Sequence, residues 1–359
     1  RTGRRPATTS DESMTDTETT VEQQATATRP QQRTHATPAR RRLEFKNLGE
    51  LAALAVLIAV FAALNPGTFA SVSNAYTILN QASLPLIIGV GATLVILMGS
   101  IDLSVEGVMG AAGMTFVLLS ANSRATADLG WWAIPIAILV GMALGLLTGL
   151  IHTSLKVPSF IVTLGVWFIG LGIATVLFGR SAIPFLADAD LKQWPREMTL
   201  GLPNQFVLAA LVVLAGVAVT RFTRLGRYTY AIGANETIAR DNGVAVGRFK
   251  IYVFVVAGAC SALAGVLASL QLGAGSATIG VNTLFLTIAA VVIGGTSLGG
   301  GKGGIMRTAL GVMLLVVLNN GLILSGVSSN IQSAVSGAVL IIAITAAAWP
   351  HRSRLRIVK

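Results

Sequence analysis

ILNQASLPLIIGVGATLVILMG occupies positions 78–99, and no charged residue interrupts it. A helix crosses a bilayer core with about 20 apolar residues, so this run is long enough to span. Runs of the same kind recur on both sides of it. Candidate spans are 48–65, 78–99, 104–121, 131–152, 158–178, 204–220, 249–271, 283–299, 305–325 and 330–349. In lipid, only helices and closed barrels pair every backbone group. These runs are too long and too uniformly apolar for the alternating strands of a barrel. The expected fold is all-α, a polytopic transmembrane helical bundle of about ten spans.

Composition agrees. Of 359 residues, 53% are hydrophobic and only 11% charged, whereas a soluble domain carries about a quarter charged. Too little polar surface exists to cover a water-soluble core, and mean hydropathy is +0.73. The 39 glycines suit membrane helices that pack closely. The single cysteine, Cys260, lies in an apolar stretch and reads as a small packing residue, with no disulfide framework or zinc site.

The net charge of +11 raises the question of nucleic acid, and its placement answers it. With a cytoplasmic N-terminus and ten spans, 22 of the 26 Lys and Arg residues fall inside, leaving Arg124, Arg180, Lys192 and Arg196 outside. Without the nine ahead of the first span the ratio is still 13 to 4. Both termini are therefore expected in the cytoplasm, and the basic balance needs no nucleic-acid partner.

Three regions follow. Residues 1–45 are polar and should form a disordered cytoplasmic tail, without the apolar core of a secretory signal; Met14 is a candidate start. Residues 46–350 form the membrane domain, and 351–359 a basic cytoplasmic tail. The outside segment 179–203, with Trp194, Pro195 and Pro203, is expected to form an external cap. The inside segment 221–248 is the longest and most charged cytoplasmic connection.

Catalytic and nucleotide motifs are missing. The stretch GGTSLGGGKGG (294–304) fails the P-loop pattern G-x-x-x-x-G-K-[ST] twice, at Thr296 and Gly303. It does contain G-x-G-x-x-G at Gly299, Gly301 and Gly304, but after an apolar helix rather than a strand. There is no H-E-x-x-H, and His35, His152 and His351 lie in tails or at a helix end. The chain is not expected to be an enzyme, to bind a metal or to hold a cofactor. If ATP powers it, a partner chain must bind the ATP and Mg.

Polar groups at membrane depth are costly and mark functional positions. Asp102, Ser104 and Glu106 join two apolar runs through GSIDLSVEG (99–107). They either cap the following helix or help gate a solute path. Thr296, Ser297, Asn319 and Asn320 either bond between helices or line that path. Gly141, Gly145 and Gly149 make an i, i+4, i+8 stripe for helix packing. Trp131 and Trp132 read as an interfacial belt. Gly233, Ala234, Asn235 and Glu236, then Ala239 and Arg240, then Gly243, outline a short amphipathic helix. It is either a solvated loop or a piece that docks into a groove of a soluble partner.

GSIDLSVEGVMG (99–110), VPSFIVTLG (157–165), GRYTYAIGANETIARDNGV (226–244), AAVVIGGTSLGGGKGG (289–304) and VLNNGL (317–322) resemble the ribose/xylose/galactose-type permeases of bacterial ABC importers. The resemblance runs in order over roughly 48–349. It implies a multi-pass protein of the bacterial inner membrane, with cytoplasmic ABC ATPase subunits, an external sugar-binding protein, a second permease copy and lipid as partners. It also implies that the Gly233–Gly243 helix couples to the ATPase. Two departures stand out: Ser100 replaces a family Gly, and Glu106 is an extra acid before Gly107. The Gly/Ser-rich breaks at 99–107 and 294–304 suggest an inverted repeat of two five-span halves. An ion-coupled secondary transporter is the rival reading, and it would use ionisable groups deep in the bundle.

Overall fold

The computed structural model describes residues 48–328 other than Ser181, with scattered positions between 331 and 345. The tails at 1–45 and 351–359, and most of the expected span 330–349, lie outside the described residues. The helices are α1 (Leu48–Leu64), α2 (Val72–Leu97), α3 (Val105–Leu119), α4 (Ala133–Ser154), α5 (Ser159–Phe178), α6 (Ala189–Gln193), α7 (Asn204–Phe222), α8 (Arg224–Ala234), α9 (Glu236–Asp241), α10 (Val246–Leu272), α11 (Thr283–Ile293) and α12 (Ile305–Leu324). Strands β1 (Met198–Thr199) and β2 (Leu202–Pro203) form a two-residue antiparallel pair.

Among the described residues six helices, α2, α4, α5, α7, α10 and α12, are long and apolar enough to cross a membrane, counting the Gly130–Trp132 turn with α4. Apolar helices α1, α3 and α11 are shorter. Helix α2 starts six residues before the expected span 78–99, and the expected span 283–299 is cut short, its helix stopping at Ile293. Gly294 and Gly295 turn the chain there, with Gly295 at φ +74°, a conformation that favours glycine.

Helices α2 and α10 form the interior, with 72% and 61% of their apolar stretches buried, against 28% for α5 and 22% for α7. The outer helices turn large apolar side chains such as Phe168, Val176 and Leu211 outward. Lipid accepts such a surface, because its tails are as apolar as the side chains. Helix α10 packs against α4, α3 and α2. Its seam with α4 is very close: a β-carbon on Gly145 would overlap the Phe254 carbonyl, and one on Gly149 would lie 2.8 Å from Ile251 Cα. Gly258 on α10 is set equally close against Gly141.

Helices α2 and α11 end in the same way. At α2, Ser100 N–H bonds Val95 C=O at 3.1 Å and Gly99 N–H bonds Ile96 C=O at 2.9 Å. At α11, Thr296 N–H bonds Val291 C=O at 3.1 Å and Gly295 N–H bonds Val292 C=O at 2.9 Å. Both are Schellman caps, which satisfy orphan carbonyls through a left-handed glycine.

The segment 179–203 is tied down on its own side of the bundle. Leu186 N–H bonds Gly273 C=O at 3.0 Å and Ala187 N–H bonds Ala121 C=O at 2.8 Å. Arg124 donates its guanidinium to the Leu177 and Phe178 carbonyls at the end of α5, where the helix dipole favours a cation. Trp131 and Trp194 meet edge to face with centroids 5.9 Å apart.

Candidate functional site

Helices α8 and α9 share one residue as their punctuation. Asn235 ends α8, and its Oδ1 accepts from Ile238 N–H at 3.0 Å to cap α9. Asn is among the strongest residues for that position. Helix α9 closes at Gly243, φ +80°, in a third Schellman cap, with Val244 N–H on Ala239 C=O at 3.1 Å. Ala239 and Ile232 are buried with Val246, Val253 and Phe254, which anchors the segment. Thr237, Ile238 and Arg240 face outward. Glu236 bridges Arg240 at 2.6 Å and Lys250 at 2.8 Å. The Lys250 hydrogen bond, reinforced by both cationic charges, holds the Glu236 carboxyl below its ordinary range.

Gly233 lies inside the last turn of α8, where it permits close contact rather than breaking the helix. A β-carbon there would overlap the Leu97 carbonyl oxygen and come 2.6 Å from Gly301 N. Leu97 and Gly301 are themselves joined, the Gly301 N–H donating to the Leu97 C=O at 2.8 Å. The helical donor for that carbonyl would be Ile101 N–H, which bonds Ser159 Oγ at 3.1 Å instead. Gly300, φ +82°, has no room for a β-carbon between Gly99 N and Gly233 Cα, at 2.8 and 3.0 Å. Tyr230 of α8 adds a bond from its hydroxyl to Gly303 C=O at 3.0 Å. Both glycine-rich breaks therefore meet on the end of α8.

The other polar residues singled out from the sequence fall in separate places. Asp102, buried, accepts from Ser104 N–H at 2.8 Å and Ser104 Oγ at 2.6 Å. Ser104 is N-cap of α3 but gives it no side-chain bond. Glu106, in the first turn of α3, accepts from Leu284 N–H of α11 at 3.3 Å. Its carboxylate thus lies between two helix N-termini, both positive dipole ends. Thr296 is buried, and its hydroxyl accepts from Gly304 N–H at 3.3 Å; Ser297 is exposed. Asn320, at the far end of α12, donates to Asn74 Oδ1 of α2 at 3.0 Å, with Asn319 beside it, half-buried.

Two concave places adjoin these elements. A cleft of about 680 Å³ runs between His152, Lys156, Glu236, Arg240, Arg248 and Lys250, flanking α9. The second, of about 440 Å³, lies between α2, α10 and α11 and is lined by Thr77, Asn80, Gln81, Gln271, Asn282 and Thr283 among others. Sequence reasoning missed these residues. Their amides sit at span ends or in a connection, where polar residues are ordinary, and only the fold draws them together.

A bundle of apolar helices with broken ends, closed on a charged two-helix segment, is the architecture of a polytopic membrane protein. The chain belongs to the family described as "branched-chain amino acid transport system / permease component", whose model matches residues 74–344. It is a multi-pass permease of the bacterial inner membrane. The chain is 38% identical over 252 residues to the ribose import permease protein RbsC of Escherichia coli (strain K12), covering 68% of this chain and 76% of that protein. The D-allose transport system permease protein AlsC of the same organism is 32% identical over 246 residues, covering 68% and 73%. The xylose transport system permease protein XylH of Haemophilus influenzae is 29% identical over 311 residues, covering 68% and 80%. No solved structure matches the chain.

Proposed function

We propose that this chain forms the translocation pathway of an ATP-driven importer for a monosaccharide or related polyol. The observation that carries the mechanism is the junction at Gly233. Leu97, Gly300 and Gly301 abut α8 without an intervening side chain, and Gly99 abuts Gly300, so displacement of α8–α9 shifts both helix breaks together. A cytoplasmic ATPase pair, holding ATP and Mg, would engage the outward face of α9 at Asn235, Thr237, Ile238 and Arg240. Its closure would move the segment and switch the bundle between outward and inward openings. An external binding protein would deliver the solute, and a second permease copy would complete the pathway.

The same reading takes the chain as ten spans with both termini cytoplasmic, arranged as an inverted repeat of two halves. The matched caps at Gly99 and Gly295 support the repeat, since each half turns at a break of the same construction. Asp102 and Thr296 hold these turns in shape, and Glu106 ties α3 to α11. The similarity to ribose, allose and xylose permeases supports the solute class.

Reconstitution in proteoliposomes tests this. With a partner ABC ATPase and an external sugar-binding protein added, the chain should take up labelled pentose or hexose only when ATP is supplied. Uptake by the permease alone, driven by a proton or sodium gradient, would overturn the reading.

A further inference from the structure

The geometry points to the cavity between α2, α10 and α11 as a stopping site for a neutral polyhydroxylated solute; the inference rests on the reading of the chain as a sugar permease. Its volume, about 440 Å³, lies within the roughly 300–1,000 Å³ of small-molecule sites. Thr77, Asn80 and Gln81 come from α2, Gln271 from α10, and Asn282 and Thr283 from the start of α11. No lining side chain is charged. Amides and hydroxyls both donate and accept, as every sugar hydroxyl does. An amino acid's ammonium and carboxylate would find no counter-ion among them, whereas sugar hydroxyls need none.

Three local features leave hydrogen-bonding capacity open. Asn80 Oδ1 is buried and lacks a partner, although buried polar atoms are nearly always paired. Pro85, inside α2, has no N–H to give the Gln81 carbonyl four residues earlier. Asn282 is N-cap of α11 in the left-handed region, φ +71°, yet spends no side-chain bond on the helix. Leu84, Pro85 and Leu286 supply an apolar wall for the C–H face of a sugar ring. Glu106, holding Leu284 N–H just past Thr283, fixes the start of α11 and with it the placement of Asn282.

The test uses the assembled transporter in proteoliposomes, with labelled ribose, allose and xylose as probes and leucine as the zwitterionic control. Asn80→Leu and Asn282→Leu should each lower sugar uptake at least ~10-fold, the effect of losing about 1.4 kcal/mol of recognition. ATP hydrolysis stimulated by the loaded binding protein should stay within about twofold, because the coupling segment is untouched. Should the leucine variants fail to assemble, Asn80→Ser and Asn282→Ser carry the test, with KM expected to rise about threefold. Unchanged uptake in the leucine variants, unchanged KM in the serine variants, or equal loss of uptake and stimulated hydrolysis would each overturn the site. Transport of leucine in place of sugar by the unaltered protein would instead overturn the underlying reading.

Discussion

Gly233 shows what one absent methyl group does at a helix end. Overpacking a close contact typically costs about 1–3 kcal/mol, and here the obstacle is backbone, which cannot turn aside as a side chain would. Gly233→Ala is therefore expected to cut ATP-driven uptake at least ~10-fold while the protein still inserts. Gly243→Ala, where open space surrounds a left-handed residue, should cost only the roughly 1–2 kcal/mol of backbone strain and spare most transport. Parallel uptake assays on the two variants separate close contact from strain. Glu236 gives a pH test of the same segment. Its carboxyl is depressed on folding, so its contribution is complete above the ordinary carboxylate range and is lost as pH falls through the depressed value. Hydrogen-exchange protection over 236–241, taken relative to the intrinsic rate at each pH, should fall on acidification there, and Glu236→Gln should flatten the response. The sequence marks Gly233 only as the start of the short amphipathic helix that ends at Gly243. Its contact with residues near 97 and 301 leaves no local pattern to read.

At the scale of elements, the helices follow from apolar runs, and most of them are legible in the sequence. Their ends are less so. The run through 299 reads as one span by composition, yet the paired glycines at 294 and 295 end α11 early. A left-handed turn needs one residue, too little to alter a hydropathy average. Gly141, Gly145 and Gly149 let α4 approach α10 with no room for a β-carbon, so Gly145→Leu should force the helices apart. A loss of several degrees in the melting temperature of the detergent-solubilised protein would register it. At the opposite end of the bundle, Arg124→Ala should loosen the last turn of α5 by about 1 kcal/mol, visible as faster exchange near Leu177 and Phe178.

For the whole molecule, charge placement is the legible part and convergence is not. The asymmetry of Lys and Arg predicts an orientation that labelling can check. In a Cys260→Ala background, an impermeant maleimide should label Asp190→Cys in intact cells and leave Asn242→Cys unlabelled until the membrane is opened. The amide-lined cavity was invisible beforehand, because Asn80, Gln271 and Asn282 are far apart in the chain and each is unremarkable alone. The bond between Leu97 and Gly301 has a further consequence, in the order of synthesis. Ribosomes add about 5–20 residues per second, so roughly 10–40 s separate the emergence of the carbonyl from that of its donor. Throughout that interval the newborn N-terminal half holds that helix end unfinished. A chain truncated before Gly301 would stay in that condition, open to the quality-control proteases that remove incomplete membrane proteins.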